Sequence, residues 1–210
     1  MNTQNFIKSI IYIPLDKSQY FQEKYDKRQI VLHHTVSNGN AKNVINWWKT
    51  DKKRIATAFV IDGEGIIHQA FNSAYWGHHL GTKEVNNTIL NKQSIGIEIC
   101  SWGPLTKKGD KFFSFTGKEI PLQEVIFYKD KFRGNHYYHK YNDKQLETLK
   151  NLIIYLSEKY KIPAHYKSDM WDISRSAVSG SPGIYTHVSF RKDKSDCHPQ
   201  LELIKLLKDL

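Results

Sequence analysis

Apolar and polar residues alternate along this chain in patterns that predict strands and helices. Residues 29–34 (QIVLHH) place three β-favouring apolar side chains directly before two histidines, which predicts a buried strand with a polar end. The next stretch, SNGNAKNVINWWKT at 37–50, begins with turn residues and then places Val44, Trp47 and Trp48 at helical spacing. This spacing predicts a short helix whose aromatic side packs inward.

Two further stretches predict β-structure. Residues 57–71 (TAFVIDGEGIIHQAF) contain two apolar runs joined by DGEG, whose glycines can adopt positive φ, and therefore predict a hairpin. Residues 93–100 (QSIGIEIC) alternate strictly, so the three isoleucines face one side of a strand while Ser94, Gly96 and Glu98 face the other.

The second half of the chain predicts a long helix that begins near Asn142 and ends before Pro163. Asn142 and Gln145 have the spacing of a capping box. One face of this helix is apolar and is predicted to pack inward: Leu146, Leu149, Ile153, Leu156 and Tyr160.

The remaining segments complete the predicted domain. Residues 164–183 have a loop-like composition, and GIYTH then predicts a short strand that ends at His187. A final helix is expected to open at Pro199, because proline suits the first helical turn. Its inward residues are predicted to be Leu203, Ile204 and Leu207.

Strands that alternate with helices predict an α/β fold with a central mixed β-sheet flanked by helices. We expect one such domain over residues 29–210, preceded by an extended lead-in at 1–28 that turns near Pro14. Residues 101–141 are irregular, aromatic and basic, and are predicted to form an insertion with a hairpin of its own that shapes a substrate groove.

Composition narrows the function classes. The chain has 210 residues, 40% of them hydrophobic and 25% charged, which is typical of a globular domain, and it has no apolar run of the length a membrane span requires. The formal net charge of +10 favours an anionic partner. Because the excess lysines are scattered, nucleic acid is a disfavoured partner. The N-terminus has no small-residue cleavage site, so no secretory signal is expected.

Histidines and acids at the predicted strand ends indicate a metal site. His33, His34, Glu98 and His187 all lie at or near the end of a strand, where α/β domains usually place their chemistry. The loop RKDKSDCHP at 191–199 adds Lys194, Asp196, Cys197 and His198. Two histidines with one carboxylate or thiolate, and one position open to water, form the usual ligand set of catalytic zinc.

These motifs resemble those of the type-2 N-acetylmuramoyl-L-alanine amidases, a family of zinc hydrolases that includes phage endolysins, bacterial cell-wall amidases and animal peptidoglycan recognition proteins. The matching stretches occur in family order: VLHHT at 31–35, AFVIDGEGIIHQ at 58–69, HHLG at 78–81, LNKQSIGIEI at 90–99, IP at 162–163, His187 and KSD at 194–196. They span most of residues 29–210.

The resemblance implies that Zn²⁺ is bound by His33, His187 and Asp196, the last in the family's K-x-D spacing after Lys194. Cys197 remains a rival third ligand, since thiolate also binds zinc and the proline that usually follows this ligand comes only at 199. His34 is not expected to bind the ion, because neighbouring side chains on a strand point to opposite faces.

The resemblance also implies catalytic roles for Glu98 as general base and Lys194 as oxyanion stabiliser. Some relatives have a catalytic tyrosine where this chain has Thr57, which leaves Glu98 as the candidate base. Gly96 is expected to keep the approach of substrate open. The residues expected to line the substrate groove are His34, Trp76 and His79.

The implied substrate is the amide between N-acetylmuramic acid and the L-alanine of peptidoglycan. We expect either a phage lysin that is made in the cytoplasm and reaches the wall after release, or a cytoplasmic amidase that recycles soluble muropeptides. A peptidoglycan-binding module without activity is a third alternative, disfavoured because the candidate zinc ligands are all present.

Overall fold

The computed structural model describes residues 3–37 and 39–210, which form a mixed α/β domain with two sheets. The strands of this part of the chain are β1 (Ile11–Tyr12), β2 (Gln29–His34), β3 (Phe59–Ile61), β4 (Ile67–Gln69), β5 (Ser94–Ile99), β6 (Pro104–Lys108), β7 (Lys111–Phe113), β8 (Glu119–Ile120), β9 (Val125–Phe132), β10 (Asn135–His139) and β11 (Gly183–Thr186). The α-helices are α1 (Thr3–Lys8), α2 (Ala41–Trp48), α3 (Asn87–Gln93), α4 (Asp143–Tyr160), α5 (Arg175–Val178) and α6 (Leu201–Lys208).

The central sheet has six strands in the order β1-β4-β3-β5-β2-β11. Strands β3 and β4 form the predicted antiparallel hairpin, and the other neighbouring pairs are parallel. Strands β11, β2 and β5 therefore run side by side in one direction, and their carboxyl ends meet at one edge of the sheet. The predicted mixed sheet is confirmed, and this edge carries the candidate site.

Burial in β5 does not alternate as side-chain direction does. Ile95, Ile97 and Ile99 are buried in the main core, and of the residues on the other face Ser94 and Gly96 are buried too, while Glu98 is partly exposed. Helix α4 has the predicted capping box between Asn142 and Gln145. Its predicted apolar face also packs on the core, although Tyr160 is only partly buried.

Two helices differ from the predicted pattern. In α2, Trp48 is buried but Trp47 is 61% exposed, since neighbouring helical residues point about 100° apart and cannot share one narrow face. Helix α6 begins at Leu201, two residues after Pro199. Leu203, Leu206 and Leu207 are its buried residues, while Ile204, which was expected to point inward, is only partly buried.

Residues 101–141 form more than the single hairpin that was predicted. Strands β6 to β10 make a second, antiparallel sheet in the order β8-β7-β6-β10-β9. This sheet has a small apolar core of its own, formed by Trp102, Leu105, Phe112 and Ile120. The segment predicted as a loop at 164–183 contains a 3₁₀ helix at Ser168–Trp171 and the short helix α5.

The N-terminal segment packs on the domain instead of extending away from it. Strand β1 pairs with β4, and Phe6, Leu15 and Tyr20 are buried in the main core. The ammonium group of Lys27 donates to the carbonyl oxygens of Lys92 (2.7 Å) and Ser94 (3.1 Å) at the end of α3. Burial lowers the pKa of Lys27 to about 7, so these hydrogen bonds, more than a full positive charge, attach the segment to the end of α3.

Among the described residues, no helix is both long and apolar enough to cross a membrane.

Candidate functional site

Three side chains from distant parts of the chain converge at the carboxyl ends of β2 and β11. His33 lies one residue before the end of β2, and His187 follows directly after β11. The parallel register pairs Thr186 with Leu32, which brings the two histidines side by side. The loop after His187 then returns and places Asp196 beside both of them.

The distances within this cluster are short. The Nδ1 atoms of His33 and His187 lie 3.1 Å apart, and the Oδ2 atom of Asp196 lies 3.1 Å from the first and 2.8 Å from the second. All three residues are buried. Of the described residues, these three form the one group of histidine, cysteine and acidic side chains with the spacing that a metal ion needs.

The charge state of the cluster suits a cation. Burial, and then the neighbouring His187, lower the pKa of His33 to about 4, so its imidazole is neutral near pH 7. Burial alone would raise the pKa of Asp196, but His187 and His33 hold it well below its usual range. Neutral imidazoles and an ionised carboxylate are the forms that bind metals. The residues present therefore fit a divalent ion held by three protein ligands, which is the open arrangement of catalytic zinc.

Glu98 stands beside this cluster, directly opposite His33 in the parallel pairing of β5 and β2. Its Oε2 atom is buried and has no hydrogen-bond partner among the described residues. Burial, and then the charge of Asp196, raise the pKa of Glu98 to about 8. A carboxyl group with a raised pKa at the edge of a cleft is typical of an acid or base in catalysis.

The cluster forms part of the floor of an open cleft of about 780 Å³. On the β11 side the cleft is lined by two cationic residues, Arg191 and Lys194, on the loop that also carries Asp196. Elsewhere its lining mixes polar with apolar residues, and the apolar ones include Val44, Trp47, Trp48, Ile55 and Phe115. Trp47 and Phe115 are 61% and 73% exposed, so their rings are open to a ligand.

Cys197, the rival third ligand, lies outside the cluster. Its thiol is fully buried and contacts the hydroxyl group of Tyr141. The structure therefore brings Asp196, and not Cys197, to the two histidines.

His34 points away from the cluster, as the alternation of a strand requires. Its Nδ1 atom lies 3.0 Å from the Tyr141 hydroxyl, and burial lowers its pKa to about 4. The backbone N–H of His198 donates to the same hydroxyl at 3.2 Å. His34 is among the residues that line the cleft but is only 4% exposed, so its contact with substrate stays a prediction.

Trp76, the second expected groove residue, is not among the residues that line the cleft, although its ring contacts His78, which is. Its ring is 4% exposed and stacks on Phe21 with 3.8 Å between centroids. His79, the third, does reach the cleft, but its Nδ1 atom lies 3.0 Å from Nε2 of His33. Of the three, only His79 is close to the cluster, where it contacts a candidate ligand.

Position 96 requires a glycine for a different reason from the expected one. A Cβ atom at this position would lie 2.6 Å from the Thr57 side chain and 3.1 Å from Nδ1 of His79. The glycine therefore makes room for these two side chains and does not open a path for substrate.

The contacts of His198 behind the cluster were not predicted from the sequence. His198 stacks on Tyr141, and its Nδ1 atom lies 2.8 Å from the hydroxyl of Tyr128 in the second sheet. Only the position of His198 next to the candidate ligand loop could have indicated this contact. It joins the loop of Asp196 to the insertion.

Fold and cluster together define an α/β domain that carries the donor set of a metal centre at the floor of a cleft. A family profile described as N-acetylmuramoyl-L-alanine amidase matches residues 23–199. The chain belongs to the N-acetylmuramoyl-L-alanine amidase family, as its motifs suggested.

Solved structures share this fold. PlyL is 16% identical, with a TM-score of 0.57 over 95% of this chain and 96% of that chain. The N-acetylmuramoyl-L-alanine amidase LysC from Clostridium intestinale URNW is 14% identical, with a TM-score of 0.51 over 94% and 93% of the two chains. A mutant endolysin from Bacillus subtilis is 15% identical, with a TM-score of 0.52 over 95% and 96%. At these identities the similarity is one of fold. A search of curated proteins finds no match.

Proposed function

We propose that this protein is a zinc-dependent amidase that hydrolyses the bond between the lactyl group of N-acetylmuramic acid and the L-alanine of peptidoglycan. One observation carries the proposal: His33, His187 and Asp196 converge beside Glu98 at the floor of a cleft, in a chain of the amidase family. Three ligands that leave one position for water distinguish a catalytic zinc site from a closed structural one.

When bound, zinc supplies a Lewis acid that polarises a carbonyl and lowers the pKa of water to about 7. Glu98, opposite His33 in the pairing of β5 and β2, would accept a proton from the attacking water and pass it to the leaving amine. A divalent cation nearby favours the ionised carboxylate, so metal binding lowers the pKa of Glu98 from the value of about 8 that burial produces.

Lys194 is proposed to stabilise the oxyanion that forms on the scissile carbonyl. Its side chain lines the cleft two residues before Asp196, and its charge opposes the upward shift in the pKa of Glu98. A fixed cation at such a point stabilises developing negative charge by a few kcal/mol.

The apolar lining is proposed to hold the rest of the substrate. Aromatic faces pack well against the apolar faces of sugar rings, and Trp47 and Phe115 present such faces at the cleft. Arg191 and Lys194 supply positive charge for the carboxylates of the stem peptide, although Asp193 pairs with Arg191.

The test is hydrolysis of purified peptidoglycan. The protein with zinc is expected to release stem peptides with new L-alanine amino groups and no new reducing sugar ends, and a chelator should abolish this release. Full activity after verified removal of the metal would contradict the zinc mechanism. Binding of peptidoglycan without release would instead indicate a binding module.

The biological setting is also a proposal. Relatives of this fold include an endolysin, which favours a lysin that reaches the cell wall after release from the cytoplasm. A cytoplasmic recycling amidase is the alternative. Initial rates on intact sacculi and on soluble anhydromuropeptides separate the two, because a lysin should prefer the sacculi and a recycling enzyme the soluble fragments.

A further inference from the structure

The imidazole of His33 has a polar neighbour at each ring nitrogen. Its Nδ1 atom faces the metal cluster, and its Nε2 atom lies 3.0 Å from Nδ1 of His79. A neutral imidazole carries one hydrogen, so a hydrogen bond between these two rings requires one nitrogen to donate and the other to accept. The next partners of His79 decide which ring donates.

The hydrogen bonds beyond His79 end on a backbone carbonyl. Nε2 of His79 lies 2.8 Å from Oγ of Ser94, and this hydroxyl lies 2.7 Å from the carbonyl oxygen of Leu90. A carbonyl can only accept, so the Ser94 hydroxyl donates to Leu90 and accepts from Nε2–H of His79. In its neutral form the His79 ring carries only this one hydrogen. Its Nδ1 atom must therefore accept, and Nε2 of His33 donates.

Both candidate ligands are thereby fixed in the same form. With its hydrogen on Nε2, His33 presents the lone pair of Nδ1 to the cluster. Nε2 of His187 lies 2.8 Å from the carbonyl oxygen of Leu80 and donates to it, so His187 also presents Nδ1. The partners of the two remote nitrogens are neighbours in the chain: the side chain of His79 and the carbonyl of Leu80.

One buried side chain holds these neighbours in place. The backbone N–H groups of His79 and Leu80 both donate to Oδ1 of Asn91, at 2.8 and 3.1 Å. The amide nitrogen of Asn91 donates to the carbonyl of Asn87 at 2.7 Å, which fixes the orientation of the amide within α3. The missing side chain of Gly96 leaves the space that the His79 ring occupies.

We propose that the 79–80 segment, anchored by Asn91, is a positioning element that sets both ligand histidines in the form protonated at Nε2 and aimed at the metal through Nδ1. His79 is then a positioning residue and not a substrate contact. The inference rests on the metal site of the proposed function, but it concerns how the ligand rings are held and not the reaction.

The direct test needs no variant. In the zinc-loaded protein labelled with ¹⁵N-histidine, long-range ¹H–¹⁵N spectra at pH 8 report which ring nitrogen carries the hydrogen. His33, His187 and His79 are all expected to be protonated at Nε2. A His79 ring protonated at Nδ1 would overturn the proposal.

Metal affinity provides the second test, measured by competition with a chromophoric zinc chelator. His79→Leu removes the acceptor and is expected to weaken zinc binding by about 10- to 100-fold, the usual effect of losing such a partner. His79→Asn keeps an acceptor near the position of Nδ1 and should recover much of this loss. His68→Leu is the matched control, since His68 is also buried but pairs with Asp62 in the β3–β4 hairpin.

The outcomes separate this inference from the amidase proposal. Wild-type zinc affinity in His79→Leu would refute the positioning role, and equal losses in the Leu and Asn variants would indicate a merely structural one. Tight zinc binding with the expected ring forms, but no hydrolysis of muropeptides, would leave the inference standing and refute the proposed activity.

Discussion

Replacement of Glu98 by glutamine tests whether this buried carboxyl group has been placed for catalysis at the expense of stability. Glutamine has nearly the same shape but never ionises. If Glu98 moves protons during hydrolysis, Glu98→Gln should lower kcat by about 10²- to 10⁴-fold. Zinc affinity should remain close to that of the wild type, because Glu98 is not one of the three clustered ligands.

The magnitude of the stability effect follows from the pKa. Burial raises the pKa of Glu98 from 4.5 to about 8, so between these values the folded metal-free protein binds more protons than the unfolded chain. The contribution of Glu98 to the free energy of unfolding is therefore greatest below pH 4.5 and falls as the pH rises to 8. Since one unit of pKa corresponds to about 1.4 kcal/mol, the loss reaches about 5 kcal/mol at pH 8.

The assay is urea unfolding of the metal-free proteins at pH 5 and pH 8. Between pH 5 and pH 8 the free energy of unfolding of the wild type should fall by several kcal/mol more than that of Glu98→Gln. The variant should therefore be the more stable protein at pH 8. Glu147→Gln is the control, because Glu147 is exposed on α4 and its replacement should change neither activity nor the pH dependence. Identical pH dependence in wild type and Glu98→Gln would refute the reasoning.

Four further replacements test other parts of the site. Asp196→Ala should abolish high-affinity zinc binding, whereas Cys197→Ala should retain it. Zinc titration of both variants is the measurement, and the reverse result would identify the Cys197 thiolate as the third ligand. Lys194→Ala should lower kcat by about 10²- to 10³-fold with zinc affinity retained, and an unchanged kcat would exclude oxyanion stabilisation. Tyr141→Phe should cost about 1–3 kcal/mol in unfolding free energy, because Nδ1 of His34 loses its partner; an unchanged urea midpoint would contradict this.

Much of the architecture around the site was accessible from sequence because local patterns determine it. The apolar run before His33 predicts a buried strand, and the alternation in 94–99 places Glu98 on the face opposite the isoleucines. The position of Asp196 beside His33 and His187 required the family resemblance in addition, since a loop has no periodicity that predicts where its side chains lie.

The features that were missed depend on contacts between distant segments. Nothing local to His79 indicates that its ring touches His33, 46 residues away. Trp47 was assigned to the inner face of α2 because Val44, Trp47 and Trp48 have helical spacing, yet the packing of the helix decides which of the two tryptophans is buried. The second sheet of 101–141 was underestimated because its strands are short and rich in lysine. Pairing with neighbouring strands stabilises them, although their intrinsic β-propensity does not indicate it.

The contact between Tyr128 and His198 has a practical meaning for anyone who wishes to shorten this protein. Tyr128 belongs to β9 of the second sheet, and His198 lies two residues after Asp196. A truncated variant without β6–β10 would lose the surface against which the loop of Asp196 is seated. We expect such a shortened version to need a redesigned loop before it could hold that carboxylate in place.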